Sequence, residues 1–350
     1  KINKMLSTLT TVILLMTTAY EYLSGDSLLI RKYRSILGSM FFLMLVFGID
    51  IVLFVTCWLV YIISARYSRK LNSEYVQMMF LHGSSYIFPP CKIIYTGDEI
   101  SNKSDQSIVI ANHQVDADWW FSWSFLRSQG VGGYVKFIMK KEIGNIPIVG
   151  WGLKGLNFIM LQRNWEKDEK FLLRQLETFI KDKAPLQLLI FPEGTTVNTT
   201  SKEKSKAFME KQGRHDYVNL LSPRTTGFNA CLRCLEGQSN GFVYDLTIAY
   251  ESYSGEIPTW EMGYDRSKDL KIPSIDKLLQ NKNGDYTAHI HVEAHSLEEA
   301  RRGGQLWLYD VWSRKDKLLE EFIKNGKFPG EARRIENRRE KCPFFIIGFG

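Results

Sequence analysis

The stretch "SIVIANHQVDADWWFSWSFLRSQ" (Ser107–Gln129) decides the fold. It opens as a short apolar run and ends in a segment with aromatic residues at helical spacing, so a buried strand turns into a helix. Between the two sit His113, Asp116 and Asp118. Outward from here the pattern repeats. "CKIIYTG", "VKFIMKK", "GLNFIML", "LQLLIFPEGT", "FVYDLTIAY" and "YTAHIHVEAH" read as strands. "EKDEKFLLRQLETFIKDK", "RTTGFNACLRCL" and "QLWLYDVWSRKDKLLEEFIKNG" read as helices. Strands interleaved with helices predict an α/β layer fold, a mixed sheet flanked by helices. There is no internal repeat and no linker between two folded units.

Composition narrows the class. The 350 residues are 45% hydrophobic with a net charge of +7, which excludes a disordered chain and suits a globular body facing an anionic partner. Nucleic acid is set aside, because there is no basic repeat interleaved with aromatics, no zinc-finger spacing and no RNA-binding signature. The five cysteines are scattered and odd in number, unlike a secreted disulfide framework. Cys231 and Cys234 form a lone C-x-x-C inside a helix and read as filler. The remaining anionic partner is a lipid surface.

The front end supports that choice. Residues 5–20 are apolar but short. Ser35 to Ser64 is a longer apolar run with one charge, Asp50, and basic residues at both ends. It reads either as one long tilted transmembrane helix or as a hairpin turning at Gly48–Asp50; the cost of a carboxylate at mid-membrane favours the hairpin. The expected organisation is a membrane-anchoring segment over 1–85 and a catalytic domain over 86–330. A basic tail over 331–350 follows, leading into "CPFFIIGFG", the expected start of a truncated membrane segment.

Two constellations carry chemistry. His113 follows a strand, where sites gather in open α/β sheets. A histidine there serves as a general base if a carboxylate holds its other nitrogen. Asp116 and Asp118 are both at hand; the plainer alternative has Asp116 capping the helix and His113 on the surface. The second constellation is "LIFPEGTTVNTTSKEKS", where a very apolar strand ends in Pro192, Glu193, Gly194 and Thr195. Such a turn aims backbone N–H groups and a carboxylate into one crevice. Two decoys stand aside. Gly237, Ser239 and Gly241 match G-x-S-x-G, but a helix precedes them and a strand follows, the reverse of a nucleophile elbow. His289, His291, Glu293 and His295 look tempting for zinc, yet strand alternation explains them and no metal-binding motif accompanies them. Asn102 and Asn198 are formal glycosylation sequons, unused if the catalytic body is cytosolic.

With both constellations in view, the chain resembles the glycerolipid acyltransferases of the lysophosphatidic acid type. Their N-H-x-x-x-x-D signature appears as Asn112, His113 and Asp118, and their F-P-E-G-T signature as Phe191 to Thr195. "KKEIGNIPIVGW" and "GLNFIMLQRNW" look like the blocks between them. "SPRTTGF", "DLTIAY" and the closing helix are similar to the lysocardiolipin acyltransferase branch. The resemblance implies a glycerol-phosphate acyltransferase-like fold. It implies acyl-CoA as co-substrate, no cofactor, no metal, and a lysophospholipid acceptor: lysophosphatidic acid, lysocardiolipin or another anionic lysophospholipid. His113 is then the general base, oriented by Asp118, and no acyl-enzyme forms. Glu193, Gly194 and Thr195 shape the acceptor site and the oxyanion contacts. Arg163, with Lys141 or Lys140, holds the acceptor phosphate. Many relatives carry arginine where this chain has Thr196; Arg224 is the expected substitute. The family setting implies a membrane, the endoplasmic reticulum with a cytosolic-facing catalytic domain, or a mitochondrial membrane. The rival readings are a catalytically inactive membrane-anchored lipid-binding scaffold and a serine- or metal-dependent lipid hydrolase.

Overall fold

The computed structural model describes residues 28–55, 59–88, 91–100, 106–162, 164–236, 241–255, 272–280 and 286–336. The expectations for 5–20, Asn102, Arg163, Ser239 and the "CPFFIIGFG" run lie outside these residues.

Ile36–Val55 has a mean hydropathy of 2.5, and among the described residues it is the one helical segment long and apolar enough to cross a membrane. It belongs to helix α1 (Leu28–Val55), which runs unbroken through Gly48 and Asp50. The expected hairpin turn is therefore not there. The reason lies far away in sequence. The Asp50 carboxylate packs at a helix–helix contact, where a Cβ added at Gly152 would come within 2.7 Å of Oδ1. One face of α1 is buried through Val46, Ile49 and Leu53, while Ile36, Met40, Leu43, Phe47, Ile51 and Phe54 form an exposed stripe at helical spacing.

The chain then forms α2 (Ala65–Leu71), a π-helical turn over Asn72–Val76, and α3 (Gln77–Ile87). Phe80 and Leu81 of α3 are buried in the same core as Val46 and Leu53. The segment expected to anchor the chain thus shares one core with the strands and helices that follow.

The strands and helices that follow are, in order, β1 (Lys92–Gly97), β2 (Gln106–Ala111), α4 (Asp118–Ser128), β3 (Val135–Lys140), α5 (Val149–Gly155) and β4 (Ile159–Leu161). Next come α6 (Trp165–Lys181), β5 (Leu186–Ile190), α7 (Thr199–Lys211), α8 (Thr225–Cys234) and β6 (Phe242–Tyr250). The described chain closes with α9 (Ile275–Gln280), β7 (Thr287–Ser296), α10 (Leu297–Asn325) and β8 (Arg333–Glu336). Helix α10 is interrupted at Gly304, whose φ of 56° and ψ of −133° are non-helical, so its long second part begins where "QLWLYDVW" does.

The eight strands form one mixed sheet in the order β4-β3-β5-β2-β6-β7-β1-β8. The first five are mutually parallel. β7 runs antiparallel to β6 and parallel to β1, and β8 closes the edge antiparallel to β1. β2 and β5 are buried at every residue, as suits central parallel strands covered on both faces. This is the α/β arrangement that the sequence predicts. Two parts differ: the 331–350 tail begins with an edge strand, and Thr199–Lys211 forms a helix. That helix is capped by Asn198, whose side chain accepts from Ser201 N–H at 2.7 Å while Ser201 Oγ accepts from Asn198 N–H at 2.8 Å.

Five parallel strands place five carboxyl ends along one edge. Lys140, Leu161, Ile190, Ala111 and Tyr250 are the last residues of β3, β4, β5, β2 and β6. Neighbouring strands lie about 4.8 Å apart. The residues following β2 and β5 are thus immediate neighbours, and Lys141, beyond β3, lies two strands from His113.

Candidate active site

His113 sits two residues past β2, before α4 begins. Its Nδ1 lies 2.9 Å from Asp118 Oδ2. Asp118 is the first residue of α4 and is fully buried. The His113 side chain is 20% exposed, so the pair has one sealed end and one open end. Asp118 Oδ2 also accepts from Val115 N–H at 2.9 Å, and Oδ1 accepts from the Tyr250 hydroxyl. Between the two candidate carboxylates, the structure brings Asp118 to the imidazole.

Asp116 does something other than cap α4. Its Oδ1 accepts from Ile275 N–H at 3.1 Å, at the start of α9, and burial raises its pKa. The N-cap position of α4 is Ala117, which has no side chain to offer. The tight turn needs no Asp116 cap because Asp118 reaches back to Val115 N–H. Trp120 is buried against Phe88 with ring centroids 4.7 Å apart, and Trp119 packs edge-on to both, so the two tryptophans fix the first turn of α4.

Asn112 is buried and acts on the backbone. Its amide donates to Ile248 O at 2.9 Å and accepts from Ile248 N–H at 2.8 Å. An asparagine side chain carries the same donor and acceptor as a peptide group, so it continues the β2–β6 pairing after β2 has ended.

The Phe191–Thr195 turn stands beside this. Phe191 stacks on the His113 ring with centroids 4.4 Å apart. Glu193 is 2% exposed, and its carboxylate accepts from His113 N–H at 3.2 Å and Leu221 N–H at 3.3 Å. The expected carboxylate in the crevice is therefore turned into the protein. It ties the His113 turn to the 217–224 loop. Burial pushes its pKa up to about 8, against the lowering effect of the two N–H donors. Gly194 has φ of 73°, a left-handed conformation that suits glycine, and its N–H donates to Phe191 O at 2.9 Å. That N–H closes the turn. The missing side chain at Gly194 makes room for Arg224, whose Nε would lie 3.2 Å from a Cβ built there. Arg224 N–H bonds Pro192 O at 2.9 Å, and its side chain is exposed. Arg224 is thus bonded to the turn that carries Thr195.

Lys141 is exposed beyond β3, with its N–H bonded to Leu161 O at 2.9 Å. Arg163 lies outside the described residues; its neighbours Gln162 and Asn164 both donate backbone N–H groups to the Asp168 carboxylate, at 2.8 and 3.0 Å. Among the described residues no group of three His, Cys, Asp or Glu side chains is arranged to hold a metal ion. The β7 histidines meet carboxylates and a hydroxyl: His295 contacts Glu293 at 3.4 Å and Glu299 at 3.0 Å, and His291 Nδ1 pairs with Thr96 Oγ1 at 2.7 Å.

Three supports come from segments distant in sequence. Tyr250 reaches Asp118 from β6. Lys315 of α10 is fully buried, pairs with Asp245 Oδ1 at 2.5 Å and donates to Leu246 O at 2.7 Å. Asp316 accepts from the N–H groups of Val218 and Asn219, both at 2.7 Å, and so holds the 217–224 loop from below. An apolar run ending in tyrosine at a strand terminus was the one available hint for Tyr250.

A buried carboxylate–histidine pair at the carboxyl edge of a parallel sheet, walled by a Pro-Glu-Gly-Thr turn, defines a class. The chain belongs to the glycerolipid acyltransferase family. The family profile described as Acyltransferase matches residues 92–233, and one described as Acyltransferase C-terminus matches 278–348. Lysocardiolipin acyltransferase 1 of Gallus gallus is 33% identical over 240 residues, 67% of this chain and 58% of that protein. The probable 1-acyl-sn-glycerol-3-phosphate acyltransferase 5 of Arabidopsis thaliana is 30% identical over 331 residues, 89% of this chain and 80% of its own length. The 2-acyl-1-lysophosphatidylinositol acyltransferase of Saccharomyces cerevisiae is 27% identical over 266 residues, 65% of this chain and 64% of its own. The chain thus spans little more than half the length of the Gallus gallus protein.

Proposed function

We propose that this protein transfers an acyl group from acyl-CoA to a free glycerol hydroxyl of an anionic lysophospholipid at a membrane surface. The observation that carries the reading is the 2.9 Å contact between His113 Nδ1 and buried Asp118, which leaves Nε2 at the open end of the pair. In that arrangement Nδ1–H donates to Asp118 and Nε2 takes the acceptor hydroxyl proton. The oxygen attacks the thioester carbon. The tetrahedral oxyanion collapses, the C–S bond breaks, and the proton on Nε2 goes to the CoA sulfur. No covalent enzyme intermediate is needed. Arg224, beside the Gly194 turn, supplies a cation for the acceptor phosphate, Lys141 supplies another from beyond β3, and Arg163 a third.

The membrane side of the reading rests on the exposed apolar stripe of α1 and its neighbours. Ile146 and Trp151 are 48% and 61% exposed, and both lie in the segment between the carboxyl end of β3 and the end of α5. Helix α5 packs on α1 through glycines: a Cβ at Gly155 would lie 2.7 Å from Leu53 Cδ1. The apolar surface therefore flanks the catalytic edge, where a lipid acceptor enters from the bilayer.

The test offers purified protein several acyl-CoAs with lysophosphatidic acid, lysocardiolipin and lysophosphatidylinositol, measures free CoA, and identifies products by mass spectrometry. CoA release matched by a diacyl product without added metal supports the reading. Free fatty acid without an acylated lipid points to a hydrolase. No turnover with any acceptor points to a scaffold.

A further inference from the structure

Asp118 holds His113, and Asp118 in turn has to be held. A fully buried carboxylate needs a donor for each oxygen, because an unpaired buried acceptor is costly. Oδ2 has His113 Nδ1 and Val115 N–H. For Oδ1 the donor is the Tyr250 hydroxyl, from the last residue of β6. We propose that Tyr250 is a positioning residue for the transfer reaction: its hydroxyl pins the Asp118 carboxylate so that Oδ2 stays aimed at His113 Nδ1 and Nε2 stays aimed at the acceptor. This inference rests on the general-base reading of His113.

The geometry supports it from two further directions. Tyr250 is 1% exposed and its ring meets Phe121 of α4 edge-on at 5.3 Å, so the phenol has one place to go. Asn112 clamps both backbone groups of Ile248, two residues before Tyr250. That clamp fixes how far β6 advances past the end of β2, and hence where the Tyr250 hydroxyl arrives. The asparagine and the aspartate of one short motif are thereby linked through a strand that begins 130 positions downstream of Asn112. The hydroxyl is also a permanent donor. Burial and the neighbouring Asp118 charge push its pKa well above 10, so it keeps its proton throughout the neutral range.

A tyrosine that merely fills space and one that tunes the pair predict different kinetics. In Tyr250→Phe the ring and its contact with Phe121 remain. Losing a partner that orients a catalytic group lowers activity on the order of ten- to a hundredfold. The loss is expected in kcat, with KM for acyl-CoA and for the lysophospholipid unchanged. Without the phenol proton, Asp118 presents more negative charge to the imidazolium, so the acid limb of kcat/KM against pH moves to higher pH. Placing 3-fluorotyrosine at position 250 retains the fold and makes the donor stronger, so the same limb moves to lower pH. Thermal melting of both proteins accompanies the kinetics, and the fluorinated protein carries the test if the phenylalanine variant does not fold. Opposite displacements of the limb are the expected result. An unmoved limb in the fluorinated protein, or wild-type kcat in Tyr250→Phe, overturns the inference alone. Full activity in His113→Ala overturns the general-base reading and this inference with it.

Discussion

Replacing Asp118 by asparagine tests the catalytic pair, and the structure sets the size of the effect. The carboxylate faces three donors: His113 Nδ1–H and Val115 N–H on Oδ2, and the Tyr250 hydroxyl on Oδ1. An amide offers one oxygen and one NH2. If the NH2 faced the Oδ2 side, it would oppose Val115 N–H, a donor that cannot turn. The amide oxygen therefore takes the Oδ2 position, and the NH2 meets Tyr250, whose hydroxyl rotates to accept. In that orientation His113 keeps its proton on Nδ1. The tautomer survives and only the charge is lost. A charge-assisted hydrogen bond to the imidazolium is worth about 1.5–3 kcal/mol, which is roughly 10- to 150-fold in kcat. The corresponding change in the serine-protease triad reverses the tautomer and costs about 10⁴. The assay is CoA thiol release at saturating acyl-CoA and lysophospholipid, with melting curves alongside. Asp118→Ala, which leaves three donors unpaired in the interior, should in contrast destabilise the fold by about 2 kcal/mol or more. A 10⁴-fold loss in well-folded Asp118→Asn would mean that the amide turned the other way and would refute the hydrogen-bond argument. Near-wild-type turnover would refute the pair itself.

Asp116→Asn should leave turnover near wild type, because an amide oxygen still accepts from Ile275 N–H; steady-state rates of the purified variant check this. Arg224→Ala should raise the acceptor KM about 10- to 150-fold, the equivalent of a charge-assisted hydrogen bond of about 1.5–3 kcal/mol, and Arg163→Ala should act in the same direction; a pure kcat loss in both would contradict phosphate binding. Gly150→Ala should destabilise by about 1–3 kcal/mol, since its Cβ would lie 2.2 Å from Gly144 O, read as a lower urea midpoint. His295 has its pKa raised by Glu293, with Glu299 and Asp245 adding to it. The folded state therefore holds that proton more tightly than the unfolded chain. Its stabilisation is complete below the ordinary histidine value of 6.5 and is lost as pH rises through the folded one. His295→Gln should flatten the fall in unfolding free energy as pH rises above 6.5; an unchanged slope would count against it.

The legible parts of the fold were those in which one segment fixes its own state. β2 and β5 close in the apolar runs Ile108–Ala111 and Leu188–Ile190, β6 is mostly apolar around Asp245 and Thr247, and α6 shows its apolar face in Leu172, Leu176 and Phe179. The pairing of His113 with Asp118 was legible through the family resemblance, since the residues alone left Asp116 and Asp118 both open. Helix α7 hid behind its Thr, Ser and Lys content, although Asn198 and Ser201 spell out its reciprocal cap. The unbroken course of α1 was not legible, because what accommodates Asp50 is the absence of a side chain at Gly152. The same holds for the direction of Glu193. Its partners are two backbone N–H groups, and a backbone group leaves no mark on the sequence. Lys315 and Asp316 sit in a helix whose charges look like a solvated surface until β6 and the 217–224 loop are laid against it.

The contact between α1 and α5 bears on how the exposed apolar stripe of α1 has to be removed if it is to be removed at all. Cutting the chain after α1 would strip the cover from Phe80, Leu156 and the glycine-lined side of α5, and so uncover core as it removed the apolar surface. Deleting the stripe and keeping the core covered are therefore incompatible goals here. Resurfacing is the workable route. Ile36, Met40, Leu43, Phe47, Ile51 and Phe54 can be exchanged for polar helix formers while Val46, Ile49 and Leu53 stay. The outward half of one helix is thus a replaceable coat, and its inward half is a permanent part of the fold.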